Sequence, residues 1–323
     1  MLTSKDIVRK SIYYVVLITA ITAFIVGLAV LNEGLLAGIA THNIQIILIA
    51  AFVLTMAIVV QYKQTNIALE NAKLYKALQE KQALIDRDLQ MARSVQQGLI
   101  PDQTPKISGY QFAARCLPAE SVGGDFFDFV EKPESTCIVL GDVSGHGVSS
   151  ALVMALTNGI LNEISRKSDS PAEILAETNP HIQRCLANNI NFVAAFYARL
   201  ENRTKKLFYS KAGHLPALLF RKNSKKPIVL DVEGTILGVF AEAHFAEASI
   251  ELTPGDKVIF YTDGLIELQN PAGEWYGEER LIELISEHKH LPANQLVDTI
   301  FTNVNKFSAL QRDDQTLVVL EVE

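Results

Sequence analysis

The sequence predicts an α+β fold of two antiparallel sheets with helices outside them, preceded by two transmembrane helices and a helical linker. Three features carry this. Two uncharged apolar runs lie within the first 60 residues, a segment free of proline follows them, and beyond Pro101 short β-branched and aromatic runs alternate with helical patterns. The apolar excess of the 323-residue chain, 49% hydrophobic against 20% charged with a mean hydropathy of +0.18, sits in those first residues.

Residues 11–31 carry no charged side chain, and at about 1.5 Å per residue such a helix crosses a hydrocarbon layer roughly 30 Å thick. Residues 44–60 form a second run near the lower length limit for a span. A cleaved signal peptide has a shorter apolar stretch and no second span behind it. Lys5, Arg9 and Lys10 precede the first run and Lys63, Lys73 and Lys76 follow the second, whereas 32–43 holds neither lysine nor arginine. The positive-inside rule then places both ends of the chain on the cytoplasmic side of an inner membrane. Cys116, Cys137 and Cys185 form no CxxC pair and read as reduced, structural thiols.

From 61 to 100 there is no glycine before Gly98. Ile67, Leu74, Leu78, Ile85, Leu89, Ala92, Val95 and Leu99 recur at spacings of three, four or seven, as on one helical face. Lys81 and Asp88 interrupt a strict heptad, so the expectation is a long helix that pairs with a second copy over a short coiled coil. The expected organisation is a two-span anchor over 1–61, a linker over 62–100 and a larger domain over 101–323.

In that domain, strands are expected at 110–117, 126–131, 136–141, 192–200, 206–211, 217–221, 248–252, 257–262 and 316–322. Helices are expected at 148–166, 171–188, 278–287 and 293–306. Strand pairs joined by short turns imply antiparallel sheets with helices outside. A net charge of −7 without a lysine or arginine stripe argues against nucleic-acid binding, and Lys222, Lys225 and Lys226 read as a solvated turn.

Four carboxylate stations lie along the domain: Ser121-Val-Gly-Gly-Asp125-Phe-Phe-Asp128, Gly141-Asp142-Val-Ser-Gly-His146-Gly147, Tyr261-Thr-Asp263-Gly264 and Arg312-Asp313-Asp314-Gln-Thr316. Each sets an aspartate beside glycine or at an apolar strand end. A carboxylate there is held rigidly, and the glycine lets main-chain carbonyls and waters approach an ion. Magnesium and manganese prefer such oxygen shells to imidazole or thiolate. Two such ions roughly 3.5–4 Å apart activate a water and clamp phosphoryl oxygens, so metal-assisted hydrolysis needs no protein nucleophile. Asp-Gly is also a common turn pair and Asp-Asp a common solvated loop, so no single station decides the matter. The four together are far more specific.

From roughly Asp88 to Glu323 the chain resembles the SpoIIE/RsbU-type branch of the metal-dependent, type 2C-like (PPM) serine/threonine protein phosphatases. The resemblance runs in order through Gly-Gly-Asp125, Gly-Asp142-Val-Ser-Gly-His-Gly-Val, Phe192-Val-Ala-Ala-Phe-Tyr-Ala-Arg-Leu200, Ala212-Gly-His-Leu-Pro216, Leu252-Thr-Pro-Gly-Asp256, Tyr-Thr-Asp263-Gly-Leu-Ile-Glu267 and Asp313-Asp314-Gln-Thr316. It implies an α-β-β-α sandwich with two Mn2+ or Mg2+ ions at one sheet edge. Asp142 would bridge both ions, Asp125 would hold one, Asp263 and Asp313 the other, and the Val143 carbonyl would add a ligand. Asp128 and Asp314 would be accessory ligands. The implied substrate is a phosphoserine or phosphothreonine protein of the STAS type, an anti-sigma-factor antagonist in a partner-switching pathway. The wider family carries a histidine two residues after the bridging aspartate. Here that position is Ser144, which leaves His146 either as an acid or as a residue that shapes its turn.

Other classes fit less of the chain. Gly123-Gly-Asp-Phe-Phe127 has Phe126 where a diguanylate cyclase motif has a carboxylate, and a cyclase leaves the later stations unexplained. A sensor histidine kinase needs a phosphorylatable histidine, and 61–100 has none. A catalytically inactive phosphatase-like binding module would have lost ligands, whereas all four stations are present.

Overall fold

The computed structural model describes residues 13–14, 17–18, 20–22, 24–25, 28, 40–186, 191–308 and 310–323. Most of the expected first span, 11–31, and of the loop 32–43 therefore lies outside the described residues. The chain divides into two compact units, Met1–Ile85 and Asp86–Glu323.

Helix α1 runs Ala40–Gln97. The second apolar run and the expected linker are thus one helix rather than two elements, because no glycine or proline interrupts the chain between 40 and 97. Among the described residues, one helix, Ile46–Gln97, is long and apolar enough to cross a membrane. The pair of transmembrane helices read from the sequence is not seen among them.

In the second unit, β1 (Tyr110–Leu117), β10 (Gln315–Val322), β9 (Lys257–Tyr261), β6 (Ala217–Phe220) and β7 (Ile228–Leu230) form one sheet in that order. The other is ordered β2 (Phe126–Glu131), β3 (Ser135–Val143), β4 (Val193–Glu201), β5 (Lys206–Ala212) and β8 (Ala248–Glu251). All eight strand pairings are antiparallel. Helices α2 (Val148–Ser165) and α3 (Pro171–Leu186) pack on the second sheet; α5 (Ala293–Phe307), with α4 (Gly277–His288) beside it, packs on the first.

Side-chain alternation explains these layers. Successive strand residues point to opposite faces, and here both faces are covered. In β9, Val258 and Phe260 enter the core between the sheets while Ile259 and Tyr261 enter the core under α4 and α5. In β4, Phe196 and Ala198 face the same central core while Ala195 and Tyr197 face α2 and α3. This is why the strands read as continuous apolar runs, and it gives the four layers α-β-β-α. Two elements depart from expectation. Strand β3 continues to Val143, so Asp142 lies inside it, opposite Ala194. Strand β7 was not expected; it is a short edge strand in which only Leu230 is buried, too little alternation to register in the sequence.

Candidate metal centre

Register brings the stations together. Asp125 precedes β2 and Asp142 lies near the end of β3, whose partner across the ladder is the start of β2, Phe126 opposite Gly141. Asp263 follows β9 and Asp313 precedes β10, with Tyr261 opposite Leu317. Antiparallel pairing thus puts one strand's start beside its neighbour's end, and each sheet delivers two aspartates. The carboxylates act on one another: the charges of Asp263, Asp313 and Asp314 raise the Asp142 pKa, and those of Asp142 and Asp314 raise that of Asp125.

Each carboxylate is fixed by its neighbours. Asp125 is buried, and its Oδ2 accepts hydrogen bonds from Thr262 Oγ1 and Thr316 Oγ1, both at 2.7 Å. Thr262 Oγ1 in turn accepts from Thr316 N at 2.9 Å, so Thr316 on β10 and Thr262 just after β9 in the first sheet grip a carboxylate carried by the second. The turn before Asp125 is held twice. Gln96 Nε2 donates to Gly123 O at 2.6 Å while Gly123 N donates to Gln96 Oε1 at 3.1 Å. Asp314 accepts from Ala119 N (2.7 Å), Gly124 N (2.6 Å) and Asp125 N (3.2 Å). Glycine is required here for close approach: a Cβ on Gly123 would overlap the Asp314 carboxylate, and one on Gly124 would lie 2.6 Å from the Val143 carbonyl oxygen.

Burial first, then mutual repulsion, drives the carboxyl pKa values upward. Asp142 is pushed to about 7 by burial and by Asp263, Asp313 and Asp314. Asp125 stands well above its ordinary value through burial and the Asp142 charge; Asp263 and Asp313 are raised as well, chiefly by burial. No lysine or arginine forms an ion pair with any of them among the described residues. Clustered buried carboxylates without a counter-charge are unfavourable, and a hard divalent cation is the counter-charge that an all-oxygen donor set fits. Among the described residues no three side chains alone converge on one ion.

The other residues that bear on the site are placed as follows. Asp314 has both oxygens engaged by main-chain N–H groups, so it clamps the Gly-Gly-Asp turn. Asp128 lies outside the cluster: Oδ1 accepts from Phe129 N and Oδ2 from Asn162 Nδ2 on α2, both within 2.8 Å. The Val143 carbonyl faces Gly124 at the cluster's edge. His146 is exposed, with Nδ1 3.0 Å from Glu120 Oε1. Arg115 pairs with Asp298 and lies over the Phe301 ring, bracing β1 against α5. His214 is buried, its ring paired with the Leu215 carbonyl and its pKa lowered to about 4 mainly by burial. Gln96, Glu120 and Thr262 belong to the site without a sequence signal of their own; Thr262 alone could be suspected, from its place beside Asp263.

The family profile of Stage II sporulation protein E matches residues 132–323, more than half of the chain. Phosphoserine phosphatase RsbU of Bacillus subtilis is 27% identical over 251 residues, 76% of this chain and 74% of that protein. The SiaA-PP2C domain of Pseudomonas aeruginosa superposes with a TM-score of 0.67 at 21% identity, over 75% of this chain and 98% of that one. The RsbU and RsbW domains of Rv1364c from Mycobacterium tuberculosis superpose with a TM-score of 0.60 at 26% identity, over 68% and 61%. Fold, cluster and relatives agree: the chain belongs to the Stage II sporulation protein E family, within the SpoIIE/RsbU-type branch of the metal-dependent serine/threonine protein phosphatases.

Proposed function

We propose that this protein is a membrane-anchored phosphatase that removes phosphate from phosphoserine or phosphothreonine of a STAS-type regulatory protein. The observation that carries the catalytic reading is the cluster of buried Asp125, half-buried Asp142 and Asp263 and the more exposed Asp313, without a lysine or arginine partner among the described residues. Asp142 would bridge two Mn2+ or Mg2+ ions, Asp125 would hold one with help from the Val143 carbonyl, and Asp263 and Asp313 would hold the other. Bound there, the ions supply an activated water and neutralise phosphoryl charge. The chain's own part is alignment. Thr262 and Thr316 fix one oxygen of Asp125, and Asp314 and Gln96 fix the turn that presents it. Support for a phosphoserine substrate comes from the name of the Bacillus subtilis relative, and a STAS partner follows from the family resemblance. The test is phosphate release from a panel of phosphoproteins that includes a seryl-phosphorylated STAS domain, with and without EDTA. Release confined to that domain and abolished by EDTA is expected; release that EDTA leaves intact sinks the metal mechanism.

The proposed organisation is an anchor over 1–61, a linker over 62–100 and the phosphatase domain over 101–323, with both ends cytoplasmic. Cys185 is exposed whereas Cys137 is buried, which makes Cys185 the useful reporter. In sealed cells an impermeant thiol reagent should label a cysteine introduced within 32–43 and leave Cys185 untouched until permeabilisation. Labelling of Cys185 in intact cells would invert the orientation.

The linker is proposed to pair in a homodimer. Ile67, Leu74, Leu78 and Ile85 are 49–64% exposed in the single chain, and covering a side chain of that size contributes about 1.5–3 kcal/mol towards association. Leu78→Asp combined with Ile85→Asp should halve the protein mass measured in detergent and change the phosphate-release rate. Unchanged mass and rate would remove both dimer and control from this helix.

A further inference from the structure

The ladder between β3 and β4 runs one step past the ends of the two strands. Leu140 pairs with Phe196 and Asp142 with Ala194. Two residues further, Ser144 N donates to Phe192 O at 3.0 Å, and Ser144 Oγ, in place of a main-chain carbonyl, accepts from Phe192 N at 2.8 Å. The Ser144 carbonyl instead accepts from Asn191 Nδ2 at 2.8 Å. Side chains two apart along a strand share a face. Leu140 and Phe196 enter the core between the sheets, so Asp142 and Phe192 lie on that same face, at the edge where the carboxylates gather. On the other side of β4, Val193 N donates to Leu237 O at 3.2 Å and Leu237 N to Val193 O at 2.9 Å. The turn leaving Leu237 is pinned to α3: Gly238 N donates to Asn179 Oδ1 at 2.9 Å and Asn179 Nδ2 to Phe240 O at 2.8 Å. The main chain is therefore fixed, yet the side chains of Phe192, Val239 and Phe240 are 37–53% exposed. Residues 191–198 and 234–241 include no charged side chain. An apolar, uncharged ledge on a fixed backbone thus adjoins the loop that leaves Asp142.

Apolar side chains on a rigid main chain lose little freedom when a partner covers them, which suits them to recognition. The place of the ledge decides what covers it. A second copy of the chain, or a lipid surface, resting there would stand against the loop after Asp142 and obstruct the carboxylate cluster. The phosphorylated segment of a protein substrate, by contrast, has to come to that loop. We propose that Phe192, Val239 and Phe240 seat an apolar side chain that flanks the phosphoserine of the phosphoprotein, and so favour an apolar, uncharged flank over a charged one. The inference rests on the phosphatase reading above and adds a division of labour to it: the aspartates and their ions would meet the phosphoryl group, and the ledge meets the residue beside it. A side chain covered on an apolar ledge leaves water in proportion to its area, whereas a charged one there loses hydration without gaining a partner.

The full chain in detergent is assayed on phosphoserine peptides built of alanine, in which one flanking residue at a time is replaced by leucine, aspartate or lysine. Leucine at one flanking position should raise kcat/KM about tenfold over alanine, mainly through KM, and aspartate or lysine there should not. Phe240→Ser and Phe192→Ser should each erase that preference, and Phe192→Leu should keep part of it. Val229→Ser is the control, an equally exposed apolar residue on the edge strand β7, and should leave the preference intact. In a second arm Phe240→p-benzoylphenylalanine is illuminated with the same peptides in EDTA. It should crosslink the leucine peptide in higher yield than the alanine peptide, and the same replacement at Val229 should not. Absence of a leucine preference, a preference that survives both Phe192→Ser and Phe240→Ser, or a crosslink that joins only two copies of the chain would overturn the inference. A parent that releases phosphate from no peptide and no phosphoprotein would instead overturn the phosphatase reading, and the crosslink yields would still decide whether the ledge takes an apolar flank.

Discussion

Asp142→Asn and Asp263→Asn are each expected to lower phosphate release at least about a hundredfold, because on the proposed reading each removes a charge that would hold the water-activating ions. Asp125→Asn and Asp313→Asn should fail as well, with partial rescue at high metal concentration. Stability should move the other way. In the metal-free protein Asp142 is raised to about 7 by burial and by three neighbouring carboxylates, so the folded state holds a proton that the unfolded chain releases near pH 4. Stability contributed by that proton is present below the ordinary carboxylate pKa and is lost as pH rises through about 7. In EDTA, Asp142→Asn should therefore melt at a higher temperature than the parent above pH 7, with the gap closing near pH 4. Loss of activity with a raised metal-free melting temperature marks a ligand; loss of both marks a structural residue. Activity retained in both Asp142→Asn and Asp263→Asn would end the metal mechanism.

Much of this centre was legible because the fold buries both faces of its central strands. Runs such as Val258–Tyr261 are then apolar, and the carboxylate just beyond each run stands out. Spacing could not show which carboxylates do which work. Asp128 sits two residues from Phe126 and from Val130, both of which face α2 and α3; alternation alone sends it towards α2, where Asn162 meets it. Asp313 and Asp314 are adjacent and chemically identical. Only the fold reveals that Asp314 turns to three main-chain N–H groups around Gly124 while Asp313 stays with Asp263. The Gln96 clamp was hidden for another reason: a glutamine between Val95 and Leu99 on a long helix looks like any solvated position until Gly123 is folded against it.

Gly264→Ala should be the most damaging change that touches no side-chain chemistry. The glycine lies in the middle of the short 3-10 turn, Asp263–Leu265, that carries Asp263 past the approach to β10. An added Cβ would overlap the main-chain carbonyl oxygen of Asp314 and lie 2.9 Å from its carbonyl carbon and 3.4 Å from that of Asp313. Backbone cannot swing aside as a flexible side chain can, so either the turn or the start of β10 must shift. Both routes misplace carboxylates of the proposed centre. The first moves Asp263; the second moves Asp313 and breaks the Asp314 bonds that hold the Gly-Gly-Asp125 turn. Overpacking of this kind costs typically about 1–3 kcal/mol, and stranding the buried N–H groups of Gly124 and Asp125 adds about 1–3 kcal/mol each. Phosphate release should fall at least about a hundredfold, with a lowered urea midpoint. Gly159→Ala on α2 is the control: nothing lies within 4 Å of its Cβ position, and removing a helical glycine should stabilise by about 0.5–1 kcal/mol while leaving activity in place. If Gly264→Ala matches Gly159→Ala in activity and unfolding, close approach of the two ligand-bearing segments is not what assembles the centre.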